Sequence, residues 1–320
     1  MNKWVDGLVK KDHRKKKIRC ERFRDKIKMK TSDSLASLFI KYSLQPLLLA
    51  SALALWYLYQ ESLIIYPVIL LVVQVLLGII EYRLPARPDW LPPAKEKIGV
   101  ILLVVCIFFY SAMIAAPFYD STLNPALSDL RSYMGIDLWP HEWPMVAQVI
   151  LAFFLSELIW YWFHRAEHRW PIIWRLSGHG AHHAFKNLGA INYGANHPLE
   201  YFVLLVPSAI VELLFGAGAA VGGAAILLVT QASIVHSNIP TNSRVIGWLF
   251  TTNRYHIHHH SLILEESNTN YGCAVILWDR IFGTFSDKYT KETGIGPSEP
   301  NVWNKFLMPI REPGDSQISP

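Results

Sequence analysis

MVAQVILAFFLSELIWYWFHRAEHRW, residues 145–170, carries two signals in one run. Met145–Phe163 approaches the length of a membrane span, which needs about 20 mostly apolar residues. His164 and His168 follow at once, spaced HxxxH. Residues four apart share a helix face, so both imidazoles aim at one point at the membrane boundary.

Further apolar runs lie on either side. Leu44–Tyr59 extends back to Leu35 if Lys41 snorkels, and Leu63–Ile80 and Ile98–Phe118 follow. Tyr201–Val235 is a fifth stretch, interrupted at Gly216–Gly218; it reads either as two spans or as a hairpin that enters and leaves on one side. The composition agrees: 52% of the 320 residues are hydrophobic and 17% charged, with a mean hydropathy of +0.21. A soluble domain carries about 25% charged residues.

Charge sets the expected orientation. Residues 1–30 carry a net charge of +9 within a chain of +5, so the remainder is about −4. The loop Glu81–Lys97 holds Arg83, Arg87, Lys95 and Lys97, whereas Gln60–Ser62 has no basic residue and Tyr119–Pro144 only Arg131. The positive-inside tendency therefore places both termini and the histidine-bearing boundary in the cytosol. It reads the basic arm as an orientation signal resting on anionic lipid, not as a nucleic-acid binder. Four spans and a later hairpin return everything after Ser237 to that side. The widely spaced Cys20, Cys106 and Cys273 contain no CxxC and suggest no disulfide framework.

Eleven of the thirteen histidines lie between 164 and 260. His179, His182 and His183 form HxxHH, and His256, His259 and His260 form it again. In each box the first imidazole shares a face with either of the other two. Neutral imidazole suits divalent iron, zinc, copper and nickel, and a zinc site takes about four ligands. Eight clustered imidazoles therefore suit two metals. The fold expected is all-α: a multi-pass membrane helical bundle with a histidine-rich helical cap on the cytosolic side, holding a dinuclear metal site.

HxxxH, HxxHH and HxxHH after paired spans resemble the fatty acid hydroxylase / sterol desaturase superfamily of integral-membrane di-iron oxidases. Tyr271-Gly272, the run Trp278-Asp279-Arg280-Ile281-Phe282-Gly283-Thr284, His197-Pro198-Leu199-Glu200 and His236-Ser237-Asn238 continue the likeness, which covers Met145 to Asp287. The resemblance implies metal ligands at His164, His168, His179, His182, His183, His256, His259 and His260, with His236 as a further ligand and His197 as another candidate. His258 is out of register with its box. Some members have a histidine four residues beyond the position of His236; Pro240 stands there in this chain, which leaves the ligand count at one iron open.

Three polar residues are candidates for catalytic support. Glu157, two helical turns before His164, either orients a ligand imidazole or pairs with Arg165; a carboxylate within a span is costly and usually functional. Asp279 either orients a box histidine or pairs with Arg280. Asn238, like Asn196, either caps a helix or bonds to oxygen at the metals. Trp160, Tyr161, Trp162 and Phe163 read as an interfacial aromatic belt.

The resemblance also divides the chain into a basic arm (1–34), spans one to three (35–118), a catalytic domain (119–287) and an irregular tail (288–320). It implies two iron ions, dioxygen as co-substrate, a membrane lipid that is hydroxylated or desaturated, and an external electron donor (a reductase with ferredoxin or a haem carrier). The host membrane reads equally as endoplasmic reticulum or bacterial inner membrane. Two rival readings use the same histidines: a non-redox zinc protein, hydrolytic or structural, and a metal sensor or transporter. No GxSxG or HExxH supports hydrolysis, and transporters usually place ionisable groups along several spans.

Overall fold

A computed structural model describes residues 34–311 except 61, 63, 92, 93 and 242. The basic arm up to residue 33 and the last nine residues lie outside the described residues. Among the described residues the chain is helical, with one isolated β-bridge, Ser261 to Thr293. Six helices are long and apolar enough to cross a membrane: α1 (Leu35–Tyr59), α2 (Ile65–Arg83), α3 (Lys97–Met134), α4 (Met145–Arg169), α7 (Pro198–Phe215) and α8 (Ala219–His236). Between α4 and α7 lie the short helices α5 (Pro171–Ser177) and α6 (His179–His183). After α8 come α9 (Asn253–His259), α10 (Leu264–Ser267), α11 (Leu277–Phe282) and α12 (Val302–Leu307). The chain is an integral membrane protein built as an all-α bundle.

The third span is longer than its apolar run suggests. Instead of ending near Phe118 it continues through wide π turns at Ser111–Ala115 and Tyr119–Leu123 to Met134. A third π turn, Ile40–Leu44, lies in α1. Each precedes a proline, Pro46, Pro117 or Pro125. Proline has no N–H and leaves the carbonyl four residues back unpaired; a widened turn takes up that defect without breaking the helix. Gly135, at φ +66°, ends the helix.

The stretch 201–235 resolves into two antiparallel helices of 18 residues each, joined at 216–218. Gly216 and Gly218 have φ of +68° and +55°, and the Arg131 guanidinium occupies the place of a Cβ at Gly216. Helix α8 is the buried centre of the bundle. Its Gly223 packs on Val149 of α4 and Trp56 of α1, where a Cβ would lie 2.5 and 2.7 Å from their side chains.

Up-and-down connections put the end of α1 at Tyr59, the start of α2 at Ile65, and the joins at 135–144 and 216–218 at one end. The 84–91 loop, α5, α6 and the described residues of 237–311 gather at the other. The expected irregular tail thus contains a short helix, α12, packed beside α6.

Candidate metal centre

The ends of four elements converge at the second end of the bundle. The last turns of α4 carry His164 and His168, and the last residue of α8 is His236. Gly178, in the left-handed region at φ +75°, lets α5 stop and α6 start without a linker, so His179, His182 and His183 face α4 at once. Helix α9 supplies His256 and His259, and His260 follows it.

The imidazoles sort into two groups. His164, His168, His179, His183 and His259 form one; His182, His236, His256 and His260 form the other. In each group every ring offers a ligand nitrogen within 4.8 Å of the rest, and all nine are buried. Each HxxHH box is divided the same way. Its first and last residues, His179 with His183 and His256 with His260, stay together. The third-spaced residue, His182 or His259, crosses to the opposite group. The groups abut where His183 stacks on His260, centroids 4.2 Å apart.

Hydrogen bonds fix several tautomers. Nδ1–H donates from His164 to the Tyr271 carbonyl (2.6 Å), from His179 to Glu200 Oε1 (2.7 Å), from His236 to the Ala232 carbonyl (2.7 Å) and from His259 to the Thr269 carbonyl (2.9 Å). Each ring therefore presents a bare lone pair at Nε2. Yet His164 Nε2 lies 2.9 Å from that of His179 and 3.0 Å from that of His259. Acceptors face one another there with no proton to share, an arrangement that a cation between them would relieve. All-nitrogen, neutral donors fit a divalent transition metal better than calcium or magnesium. Burial, reinforced by neighbouring imidazoles, holds His179, His182, His183, His256, His259 and His260 well below the ordinary histidine range, so all six are neutral at pH 7.

None of the three polar candidates belongs to either imidazole group. Glu157 is fully buried and does not pair with Arg165, which donates to the Tyr161 hydroxyl. Its Oε2 accepts the backbone N–H groups of Ala274 (2.7 Å) and Val275 (3.1 Å). Asp279 accepts from the Tyr271 and Gly272 amides and the Thr284 hydroxyl, each at 2.7 Å, and touches no imidazole. Burial still pushes its carboxyl up to about 6 against those donors. The two carboxylates pin both ends of the 271–275 loop, whose first carbonyl holds His164. Asn238 belongs to neither imidazole group: it receives Arg87 N–H on Oδ1, donates from Nδ2 to the Arg87 carbonyl, and gives its own amide to Glu81.

His197 joins neither group. Its Nδ1 caps α7 by accepting from Leu199 N, and its Nε2 donates to the Phe306 carbonyl. His258 points to Thr290 and Ser286 and ties down the tail. The aromatic run splits. Trp162 is exposed, whereas Trp160 stacks on His164 and Tyr161 is buried. Residue types at spaced positions do not reveal Glu200, Glu167 and Trp174, which lie against the imidazoles. A signal existed only for Glu200, in the His197–Glu200 segment, and for Glu167, inside HxxxH.

A cavity of about 260 Å³ opens beneath the two imidazole groups, between α2, α3, α4, α7 and α8. His164, His179, His182, His236 and His256 form one wall; Trp160, Leu204, Leu205, Leu228 and Val229 make much of the rest apolar.

A family profile described as fatty acid hydroxylase matches residues 149–284. The ornithine lipid hydroxylase of Rhizobium tropici is 32% identical over 179 residues, 55% of this chain and 53% of that protein. Lathosterol oxidase of Mus musculus is 27% identical over 182 residues, 55% and 58% of the two chains. Alkylglycerol monooxygenase of Xenopus tropicalis is 26% identical over 194 residues, 57% and 39%. The chain thus spans about half the length of these relatives. No solved structure matches it.

Proposed function

This chain belongs to the fatty acid hydroxylase / sterol desaturase superfamily, and on that premise we propose that it is a membrane-bound, dioxygen-dependent di-iron oxidoreductase that hydroxylates or desaturates a C–H bond of a lipid. The observation that carries the reading is the wall of neutral imidazoles, in two abutting groups, at the end of an apolar cavity between membrane helices.

Two iron ions held by His164, His168, His179, His183 and His259 and by His182, His236, His256 and His260 would supply the dioxygen-activating chemistry. The chain's own residues hold the rings, orient them and shield the site from water. Tyr271, Thr269 and Ala232 carbonyls and Glu200 keep the proton on Nδ1, so Nε2 stays free to ligate. Glu157, Asp279 and Asn238 take positioning roles. The apolar lining favours a hydrocarbon chain or ring entering from the bilayer. The relatives' names specify ornithine lipid, lathosterol and alkylglycerol, so lipid is the substrate class assigned. The metal end lies in the cytosol in this reading, where an external reductase with ferredoxin or a haem carrier reaches it.

The test is metal content of tag-free protein purified in detergent, followed by mass spectrometry of host lipids with and without the gene. About two irons per chain and a lipid that gains one oxygen or loses two hydrogens are expected, with His182→Ala inserting normally but inactive. One zinc that iron reconstitution does not replace, with lipids unchanged, would overturn the reading in favour of a non-redox zinc protein.

A further inference from the structure

Glu200 and Glu167 are unusual in what surrounds them. Glu200 Oε1 accepts the His179 Nδ1–H at 2.7 Å, and Glu167 Oε2 lies 3.7 Å from the same nitrogen. The two residues are 2% and 0% exposed. Both oxygens of Glu167 and the second oxygen of Glu200 make no well-formed hydrogen bond, their nearest donors being the Ser177 hydroxyl and the His197 backbone N–H. Two buried carboxyl groups thus crowd one imidazole N–H, and among the described residues neither faces a lysine or arginine within ion-pair distance.

The other four-imidazole group has nothing comparable. His236 donates to a neutral backbone carbonyl, His182 has only the neutral Asn196 amide beside it, and the Nδ1 atoms of His256 and His260 are buried without a partner. Among the described residues no carboxyl group joins that cluster.

The fold builds this asymmetry. The His197 ring lies against Gly178, where a Cβ would come 2.5 Å from its Cγ, so the start of α7 is seated on the start of α6. His197 caps α7 and sets Glu200 in its first turn, beneath His179. Glu167 arrives from α4, between the two histidines of HxxxH.

A carboxylate on Nδ1–H raises the donor strength of Nε2 and holds the ring in its ligating orientation. We infer that Glu200, backed by Glu167, is a positioning residue that makes the five-imidazole group the tighter of two unequal metal sites. The inference rests on the dinuclear reading given above.

The experiment loads the full-length, tag-free protein in detergent with cobalt(II) and strips it with graded chelator. Metal per chain and the visible ligand-field spectrum are followed together. The wild type should lose cobalt in two steps. In Glu200→Gln the tighter step should weaken by about 10–100-fold, the usual effect of losing such a partner, while the weaker step and its spectrum stay in place. Glu167→Gln, which keeps the 2.7 Å bond, should move the same step by less, and it decides the matter if Glu200→Gln does not fold. Unchanged stripping in the variants, or a shift confined to the weaker step, would overturn the inference. So would a third cobalt lost with Glu200, which would mean a cation held between the carboxyl groups. A wild type binding fewer than two cobalt ions would instead remove the dinuclear reading itself.

Discussion

A ligand histidine works only if its unused nitrogen is controlled, and in this protein that control comes from residues far away in sequence. Tyr271 lies 107 positions from His164, whose Nδ1 it receives. The loop bearing Tyr271 is held at its other end by Glu157. Glu157→Ala would leave two buried backbone N–H groups without an acceptor, at about 1–3 kcal/mol each. A lower thermal midpoint and weaker metal retention are expected. Glu157→Gln keeps an oxygen for those amides and should fall between alanine and wild type. If alanine and wild type melt alike and hold metal alike, the loop does not depend on this carboxyl. HxxHH spacing announced ligands but left open which imidazoles cooperate. The answer, that the i and i+4 residues stay together while the i+3 residue crosses over, depends on where the second box packs.

At the level of elements, α8 matters most because it brings His236 to the site from the centre of the bundle. Its closest approach is at Gly223, against Val149 and Trp56. Gly223→Val would push α8 away from α4 and α1 at a cost of about 1–3 kcal/mol, the range for overpacking. It should also release metal from the group containing His236, measured as metal per chain. Gly222→Ala, whose Cβ would sit 3.6 Å from Trp56, should change neither. Equal behaviour of the two variants would mean that the helix contact is not what places His236. The apolar runs made the spans legible. The extension of the third one was not, because prolines usually mark a helix end; only packing shows that wide turns absorb them.

For the whole molecule, the bundle separates the 135–144 join from the 237–311 segment at opposite ends. Cysteines placed at Asp137 and at Lys288, both exposed, should therefore label from opposite sides of an oriented membrane. Labelling of both by one impermeant reagent would contradict six crossings. The metal-free protein should also respond to acid as a unit. Six imidazoles outside the spans are depressed well below the usual value near 6.5. Above about pH 6.5 they are neutral whether the chain is folded or not. Below it the unfolded chain takes up protons that the folded one excludes, so stability falls as pH falls. Thermal midpoints of chelator-treated protein between pH 8 and 5 should be level and then drop; a flat profile would show that these rings are hydrated.

The sequence by itself determined that the chain is a helical membrane protein and that its histidines are spaced to share helix faces. Long apolar runs have few other stable solutions, and imidazoles at helical spacing declare a shared face wherever the helix lies. Only the tertiary structure decided how the imidazoles divide into five and four, and that His197 seats a helix instead of joining them. It also decided that Glu157 and Asp279 hold a loop while Glu167 and Glu200 press on His179. Those roles depend on contacts between segments tens to more than a hundred residues apart, and no local spacing encodes which surfaces meet.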